Sequence, residues 1–311
     1  MPDMSYRRLG DSGLVVSAVG LGANNFGRRI DIEATRAVVD AALDAGITLI
    51  DTADTYGESE TFLGEVLQGR RDEVVLATKF GGDTGGANGP DWGARGSRRY
   101  IRKAIERSLR RLRTDWIDLY QLHFPDQVTP IEETLAALTE LVREGKVRYI
   151  GSSNLAGWQV ADAEHIARAA GYERFISAQN EYSLLNRRIE QELVPAATHY
   201  GVGVLPYFPL ASGLLTGKYR RGATPPEGTR LAARPEYLTD ARFDTVERLT
   251  AFAERQGVGL LDVAIGGLLA QPAVASVIAG ATRPEQVKAN AAAGAWRPDA
   301  EALAELDKIA P

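Results

Sequence analysis

Eight short apolar runs, each followed by residues with helical spacing, recur along the chain and restrict it to a small set of folds. The extended runs fall at residues 18–21, 47–51, 74–79, 117–122, 147–151, 176–179, 202–206 and 275–278. Helical patterns occupy 32–45, 60–68, 98–112, 131–144, 157–170, 189–200, 242–256 and 261–269. In the first of these, Ala34, Ala37, Val38, Ala41, Ala42 and Ala45 share one face and Gly46 ends the pattern. Leu135, Leu138, Leu141 and Val142 repeat that spacing before Gly145. Strands alternating with helices imply βα units and a parallel sheet. Eight units with no break in composition predict one closed (β/α)8 TIM barrel, a single domain over residues 1–311. An open doubly wound sheet would want G-x-G-x-x-G after its first strand. Here that segment reads G-L-G-A-N-N-F-G, with the third glycine misplaced. Ahead of the alternation, residues 6–9 and 14–17 flank a D-S-G turn at 11–13 and predict an N-terminal β-hairpin.

Parallel strands of a closed barrel present their C-terminal ends on one face, where such barrels build their sites. Asp51, Tyr56, Lys79 and His123 all stand at or just beyond such ends, after the runs I-T-L-I, V-V-L-A-T and I-D-L-Y-Q-L. A Tyr beside a Lys and a His makes a proton donor for a carbonyl. A free phenol ionises near pH 10, and an adjacent ammonium favours the phenolate. On this reading Tyr56 is the acid, Lys79 the cation beside it, and Asp51 the carboxylate that keeps Lys79 charged and in place. His123 donates a hydrogen bond to the carbonyl oxygen or helps pass the proton. Two segments break the rhythm, the glycine-rich 81–97 and the Pro- and Arg-containing 212–240. Both follow strands, so both should overhang the same face as substrate and cofactor loops, which puts the long loops at the C-terminal end of the barrel.

Composition narrows the remaining choices. Lys plus Arg is 36 and Asp plus Glu 41, a net charge of 36 − 41 = −5, which argues against a nucleic-acid or anionic-membrane partner. Cysteine is absent, so thiolate metal sites, disulfides and a Cys nucleophile are excluded. Three His residues (His123, His165, His199) make a metal centre improbable, and none is expected. No run is long and apolar enough to span a bilayer and no secretory h-region is visible, so a cytoplasmic location is expected. A monomer is the default.

The ordered segments L-I-D-T-A-D-T-Y-G, T-K-F, I-D-L-Y-Q-L-H-F-P-D, I-G-S-S-N, Q-N-E-Y-S-L-L, L-P-Y-F-P-L-A-S-G-L-L-T-G-K-Y and G-A-T-R-P-E-Q-V-K-A-N resemble the aldo-keto reductases. The resemblance runs from about Tyr6 to about Asp307 and is closest to the bacterial and plant-type branches. It implies the same four roles for Asp51, Tyr56, Lys79 and His123, and a nicotinamide cofactor held without a Rossmann fold. Ser153, Asn154 and Gln179 match the residues that bind the nicotinamide carboxamide, and Tyr207 the aromatic on which its ring stacks. Leu210, Ser212 and Gly213 match the segment around the pyrophosphate, although Phe208 stands where a Ser is frequent. Gly280, Thr282 and Arg283 lead into a helix opened by Pro284, whose N-terminus suits an anion. Thr282 and Arg283 stand where a 2′-phosphate would lie, which favours NADPH over NADH, and Gln286 and Asn290 match adenine contacts. Gly22 and Asn24 bring backbone close to nicotinamide and substrate. Asn25, Phe26, Trp92 and Phe124 are candidates for the wall of a pocket for a small carbonyl substrate.

The implied activity is NADPH-dependent reduction of aldehydes or ketones. Two rival readings differ from it. A barrel of this kind can serve as a non-catalytic NADPH-binding regulatory or sensor subunit. Alternatively, Lys79 could be a Schiff-base nucleophile of a lyase or isomerase; Asp51 and Tyr56, placed to hold it charged, argue against that. The substrate itself is not readable, because loop shape sets specificity in such barrels.

Overall fold

A computed structural model describes residues 4–310. The eight apolar runs form the parallel strands β3 (Val19–Gly22), β4 (Leu49–Asp51), β5 (Val75–Phe80), β6 (Ile117–Leu122), β7 (Val147–Ser153), β8 (Phe175–Glu181), β9 (Gly203–Tyr207) and β10 (Val277–Gly280). Each strand end lies within two residues of its sequence expectation. The sheet order is β10-β3-β4-β5-β6-β7-β8-β9. Its two edges meet where Val204 N–H donates to Ala273 O at 2.7 Å and Ala275 N–H to Val204 O at 3.0 Å. With that seam the sheet is a (β/α)8 barrel, and its parallel hydrogen-bonding edges are covered.

The N-terminal hairpin, β1 (Tyr6–Arg8) paired antiparallel with β2 (Val15–Ser17), closes the bottom of the barrel. Its Leu9 and Val16 pack with Leu49, Ala77, Leu119, Leu205 and Ala275 in the barrel interior. Gly10 fits only as glycine: its φ is +58°, and a Cβ there would stand 2.4 Å from Gly201 O.

The outer ring is α1 (Ile32–Asp44), α2 (Ser59–Val66), α3 (Arg98–Leu112), α4 (Ile131–Arg143), α5 (Gly157–Ala170), α6 (Leu193–Tyr200), α7 (Asp240–Arg255), α8 (Leu260–Leu269), α9 (Pro284–Ala293) and α10 (Ala300–Ile309). These helices bury one face against the strands, as the spacing requires: α1 turns Val38, Val39, Ala41 and Ala42 inward, and Asp31 caps it by accepting from Ala34 N–H. One expected helix is shorter than its pattern. Residues 189–200 begin as a 3-10 turn, Arg188–Gln191, and become α-helical only at Leu193. The run breaks at Glu192 (φ −139°, ψ −54°) because Pro195, in the first turn of α6, has no N–H to donate to the Gln191 carbonyl and its ring crowds that carbonyl. The Glu192 carboxylate accepts from Trp158 N–H at the start of α5, 2.8 Å away. The final helix α10, capped by Asp299, was not among the expected elements. Among the described residues no helix is long and apolar enough to cross a membrane.

Candidate active site

All eight strands deliver a residue at or next to their C-terminal ends to one cavity of about 910 Å³: Gly22, Asp51, His123, Ser153, Gln179, Tyr207 and Gly280 line it, with Lys79 beneath. Tyr56 joins them from the turn between β4 and α2, which is fastened by Thr52 N–H to Ala77 O, Asp54 N–H to Lys79 O and Tyr56 N–H to Ala53 O. The four expected catalytic side chains therefore converge. Lys79 Nζ donates to Asp51 Oδ2 at 2.5 Å, to Thr52 O at 3.0 Å and to Tyr56 Oη at 3.5 Å. Lys79 and Asp51 are buried, with side chains 1% and 4% exposed. Burial works against charge on Lys79, but Asp51 and Tyr56 together outweigh it and hold the ammonium above its ordinary pKa. His123 stands edge-on to Tyr56, ring centroids 5.8 Å apart. Burial and the Lys79 charge push its imidazole down to about 3, so it is neutral. Its Nδ1 is buried without a partner.

The expected carboxamide-binding residues are present at the cavity wall but partly engaged with each other. Gln179 Nε2 donates to Asp51 Oδ1 at 2.8 Å and to Gln121 Oε1 at 3.3 Å. Asn154 Nδ2 donates to His123 O at 2.9 Å, and its Oδ1 accepts from Tyr207 Oη at 2.8 Å. Asn154 thus ties the His123 backbone to the Tyr207 ring. Burial pushes the Tyr207 phenol up to about 12, so it remains a neutral flat surface. Gln286 folds back so that its Oε1 accepts from Thr282 N–H at 2.8 Å. Asn24, Leu210, Ser212, Gly213, Thr282, Arg283 and Asn290 all line the cavity.

Of the residues expected in the pocket wall, Asn25 and Phe124 line the cavity, and Phe124 stacks on His123 at 4.3 Å. Two expectations are corrected. Phe26 is fully buried in the hydrophobic core, because the turn closed by Phe26 N–H to Ala23 O carries its ring inward under the loop. Trp92 is 77% exposed and outside the cavity, where its ring lies under the Arg99 guanidinium. Phe208, in place of the frequent Ser, packs edge-on against Tyr207 at 5.2 Å and lies under Arg230, 5.3 Å from its ring centre.

Sequence reasoning missed four contributors, one of them Lys218, which lines the cavity. Gln121 Nε2 donates to Asp51 Oδ1 at 3.2 Å; a polar residue in phase with Lys79 across the β5–β6 register was the available signal. Arg29 and Arg230 had none, because a loop folded across space brings them in. Arg29 donates to Gly228 O, and Arg230 to Asn25 Oδ1 at 3.1 Å, strapping loop 212–240 to the β3–α1 connection. The glycine-rich loop 81–97 contributes no residue to the cavity lining.

The backbone around the cavity is strained. Among the described residues six non-glycines have positive φ, and Asn154, Phe208 and Ser212 line the cavity with Ala211 between the last two. Such conformations cost about 1–3 kcal/mol each and persist where surrounding structure enforces them. The lining also fits a polyanionic dinucleotide. Arg29, Lys218, Arg230 and Arg283 all face the cavity. Burial first, then the neighbouring Arg29 and Arg234, pull the Arg230 pKa below its ordinary value.

A model of the Aldo/keto reductase family matches residues 18–311. The chain belongs to the aldo/keto reductase family. Among its relatives, the "Uncharacterized oxidoreductase YrpG" of Bacillus subtilis is 38% identical over 99% of this chain and 96% of that protein. The "L-glyceraldehyde 3-phosphate reductase" of Escherichia coli is 34% identical, covering 92% of this chain and 86% of that protein. A "Probable voltage-gated potassium channel subunit beta" of Oryza sativa is 36% identical, covering 92% of this chain and 90% of that protein. Membership makes this aldo/keto reductase an oxidoreductase of the type that uses a nicotinamide cofactor and a small carbonyl substrate.

Proposed function

We propose that this aldo/keto reductase reduces aldehydes or ketones with NADPH, with Tyr56 as general acid. The observation that carries the reading is the chain from Asp51 through Lys79 to Tyr56, at the base of a cavity lined by Arg29, Lys218, Arg230 and Arg283 against only Glu227 and Glu285 on its rim. NADPH, when bound, supplies a hydride to the carbonyl carbon. Lys218 and Arg230 would neutralise its pyrophosphate, Arg283 and Thr282 its 2′-phosphate, and Tyr207 would support the nicotinamide face. Ser153 and the free Oε1 of Gln179 would orient the carboxamide.

The protein's own part is proton management. As charge grows on the carbonyl oxygen, Tyr56 Oη gives up its proton, and the Lys79 ammonium stabilises the phenolate that remains. Asp51, itself held by Gln121 and Gln179, keeps Lys79 charged and aimed. Neutral His123 would donate a second hydrogen bond to the same oxygen from Nε2, since Nδ1 is turned toward Gly82. Phe124, Phe208 and Tyr207 would keep water from the reacting atoms. The name of the Escherichia coli relative, an aldehyde-phosphate reductase, supports a small aldehyde as substrate.

A kinetic screen of carbonyl compounds with NADPH and with NADH, run beside Tyr56→Phe, tests this. The variant should lose roughly 10²–10⁴-fold in turnover while binding NADPH nearly as tightly, and near-full turnover would refute the acid assignment. The channel-subunit names among the relatives keep one second reading in view. Tight NADPH binding with no turnover across the panel would favour it.

A further inference from the structure

A second buried polar cluster lies behind the catalytic group, and the reaction proposed above makes no use of it. Asp54, two residues before Tyr56, is 7% exposed. Its Oδ2 accepts from Asn88 Nδ2 at 3.2 Å. The same Nδ2 donates to Tyr100 Oη at 3.0 Å, and Tyr100 Oη donates to Gly82 O at 3.3 Å. Asn88 and Gly82 both belong to the glycine-rich loop 81–97, so Asp54 ties that loop to the turn carrying Tyr56. At the far end of the chain Gly82 backs onto the site: a Cβ there would stand 2.6 Å from Thr55 Cγ2 and 3.4 Å from His123 Nδ1.

Two oxygens in this cluster are unaccounted for. Asp54 Oδ1 and Asn88 Oδ1 are both buried without a partner. Both are acceptors while Asp54 is ionised, and each such orphan costs about 1–3 kcal/mol. A protonated carboxyl facing a carboxamide is self-complementary, because the amide N–H donates to one carboxyl oxygen while the carboxyl O–H donates to the amide oxygen. With Asp54 Oδ2 already on Asn88 Nδ2, one proton on Oδ1 would give both orphan oxygens a partner. The surroundings favour it. Burial first, then the Glu60 charge on α2, push the Asp54 carboxyl up to about 7, and Arg111 of α3, Asn88 and Lys79 of β5 oppose this only in part. Glu60 is itself committed, accepting from Thr78 Oγ1 at 2.6 Å and pairing with Arg111 at 2.6 Å. The remaining titratable neighbours, Tyr100 of α3 and Tyr120 of β6, are phenols pushed up by burial and stay neutral.

We propose that Asp54 and Asn88 form a proton-dependent latch that holds loop 81–97 against the Tyr56 turn and the His123 wall of the cavity. Asp54 is then a positioning residue that acts through Gly82 and the Tyr56 turn. With the loop open, Asp54 meets water, and its carboxyl returns to an ordinary pKa near 4. The latched form thus holds more protons than the open form between that value and about 7. Latching is complete at the acidic end of this window, weakens by up to about tenfold per pH unit through it, and levels off above.

Hydrogen exchange of peptides from loop 81–97, measured on the whole chain from about pH 5 to about pH 8 and corrected for intrinsic rates, tests the latch. Wild-type protection should fall by up to about tenfold per unit and then flatten. In Asp54→Asn a pair of carboxamides keeps both hydrogen bonds with no proton to lose, so protection should be high and independent of pH. Asn88→Ala should show low protection throughout, and it carries the test alone if Asp54→Asn does not fold. Wild-type protection that ignores pH, or a pH dependence that survives either substitution, overturns the proposal. The readout needs no turnover, so it stands or falls separately from the reaction above.

Discussion

Lys79 and Asp51 form the most deeply buried ion pair of the site, and a double-mutant cycle on them gives the strongest test of how the site is held. Lys79→Met removes the charge and keeps most of the unbranched chain. Asp51 then retains Gln121 and Gln179 on Oδ1, at 3.2 and 2.8 Å, and nothing on Oδ2. Removing one partner of a buried pair costs about 3–5 kcal/mol, and the two amide donors put this case near the lower end, about 3 kcal/mol. Asp51→Asn leaves the ammonium with Thr52 O at 3.0 Å and Tyr56 Oη at 3.5 Å, at a similar cost of about 3 kcal/mol. The double variant buries no charge. It should lose only about 3–4 kcal/mol instead of the additive sum of about 6, a coupling of about 2–3 kcal/mol. Urea unfolding of the four proteins, analysed from midpoints at a common slope, measures it. Additivity within about 0.5 kcal/mol would mean that the pair does not act as a unit. The coupling should not vary between about pH 6 and 9: the folded pKa of Lys79 is raised, so its contribution is whole below the ordinary lysine value near 10.4 and fades only as pH rises through the folded value.

Two further outcomes follow from burial elsewhere. His123 is held neutral, with its pKa down at about 3, while the unfolded chain takes up that proton below about 6.5. Its contribution to stability is therefore present above that pH and lost as pH falls toward the folded value, by up to about 1.4 kcal/mol per unit; urea midpoints followed downward from neutrality should show a loss that His123→Asn reduces. Gly64 lets α2 cross α3, since a Cβ there would stand 2.1 Å from Arg111 O and 2.7 Å from Leu112 C. Both obstacles are backbone, so Gly64→Ala should cost about 1–3 kcal/mol or more and lower Tm by several degrees in a thermal melt; an unchanged Tm would show that the crossing is loose.

The barrel was legible because its signal is local and repeated. A strand buried on both faces must be apolar throughout and a covering helix apolar on one face, so eight such pairs can be read from spacing alone. Asp51, Tyr56, Lys79 and His123 were legible for the same reason: the end of a parallel strand is a position in the sequence and also a place on the barrel. Phe26 and Trp92 were not, since whether a loop aromatic faces a cavity, the core or solvent depends on a turn and on what packs above it. Residues 189–200 carry a helical apolar spacing, but Pro195 within it could not continue the hydrogen bonding back to Gln191, so the α-helix begins only at Leu193.

The sequence by itself determined the order of elements, the end of the barrel that carries the site, and the four side chains at its base. Tertiary structure alone decided which cations face the cavity, because Arg29 bonds Gly228 and Arg230 bonds Asn25, partners 199 and 205 residues away. It also decided which polar groups are already engaged, as with Asn154 and Gln179, and which are left without partners, as with Asp54 and Asn88. The physical reason is range. Periodicity and turn chemistry act over a few residues, whereas burial and hydrogen-bond satisfaction are properties of groups that only folding brings together.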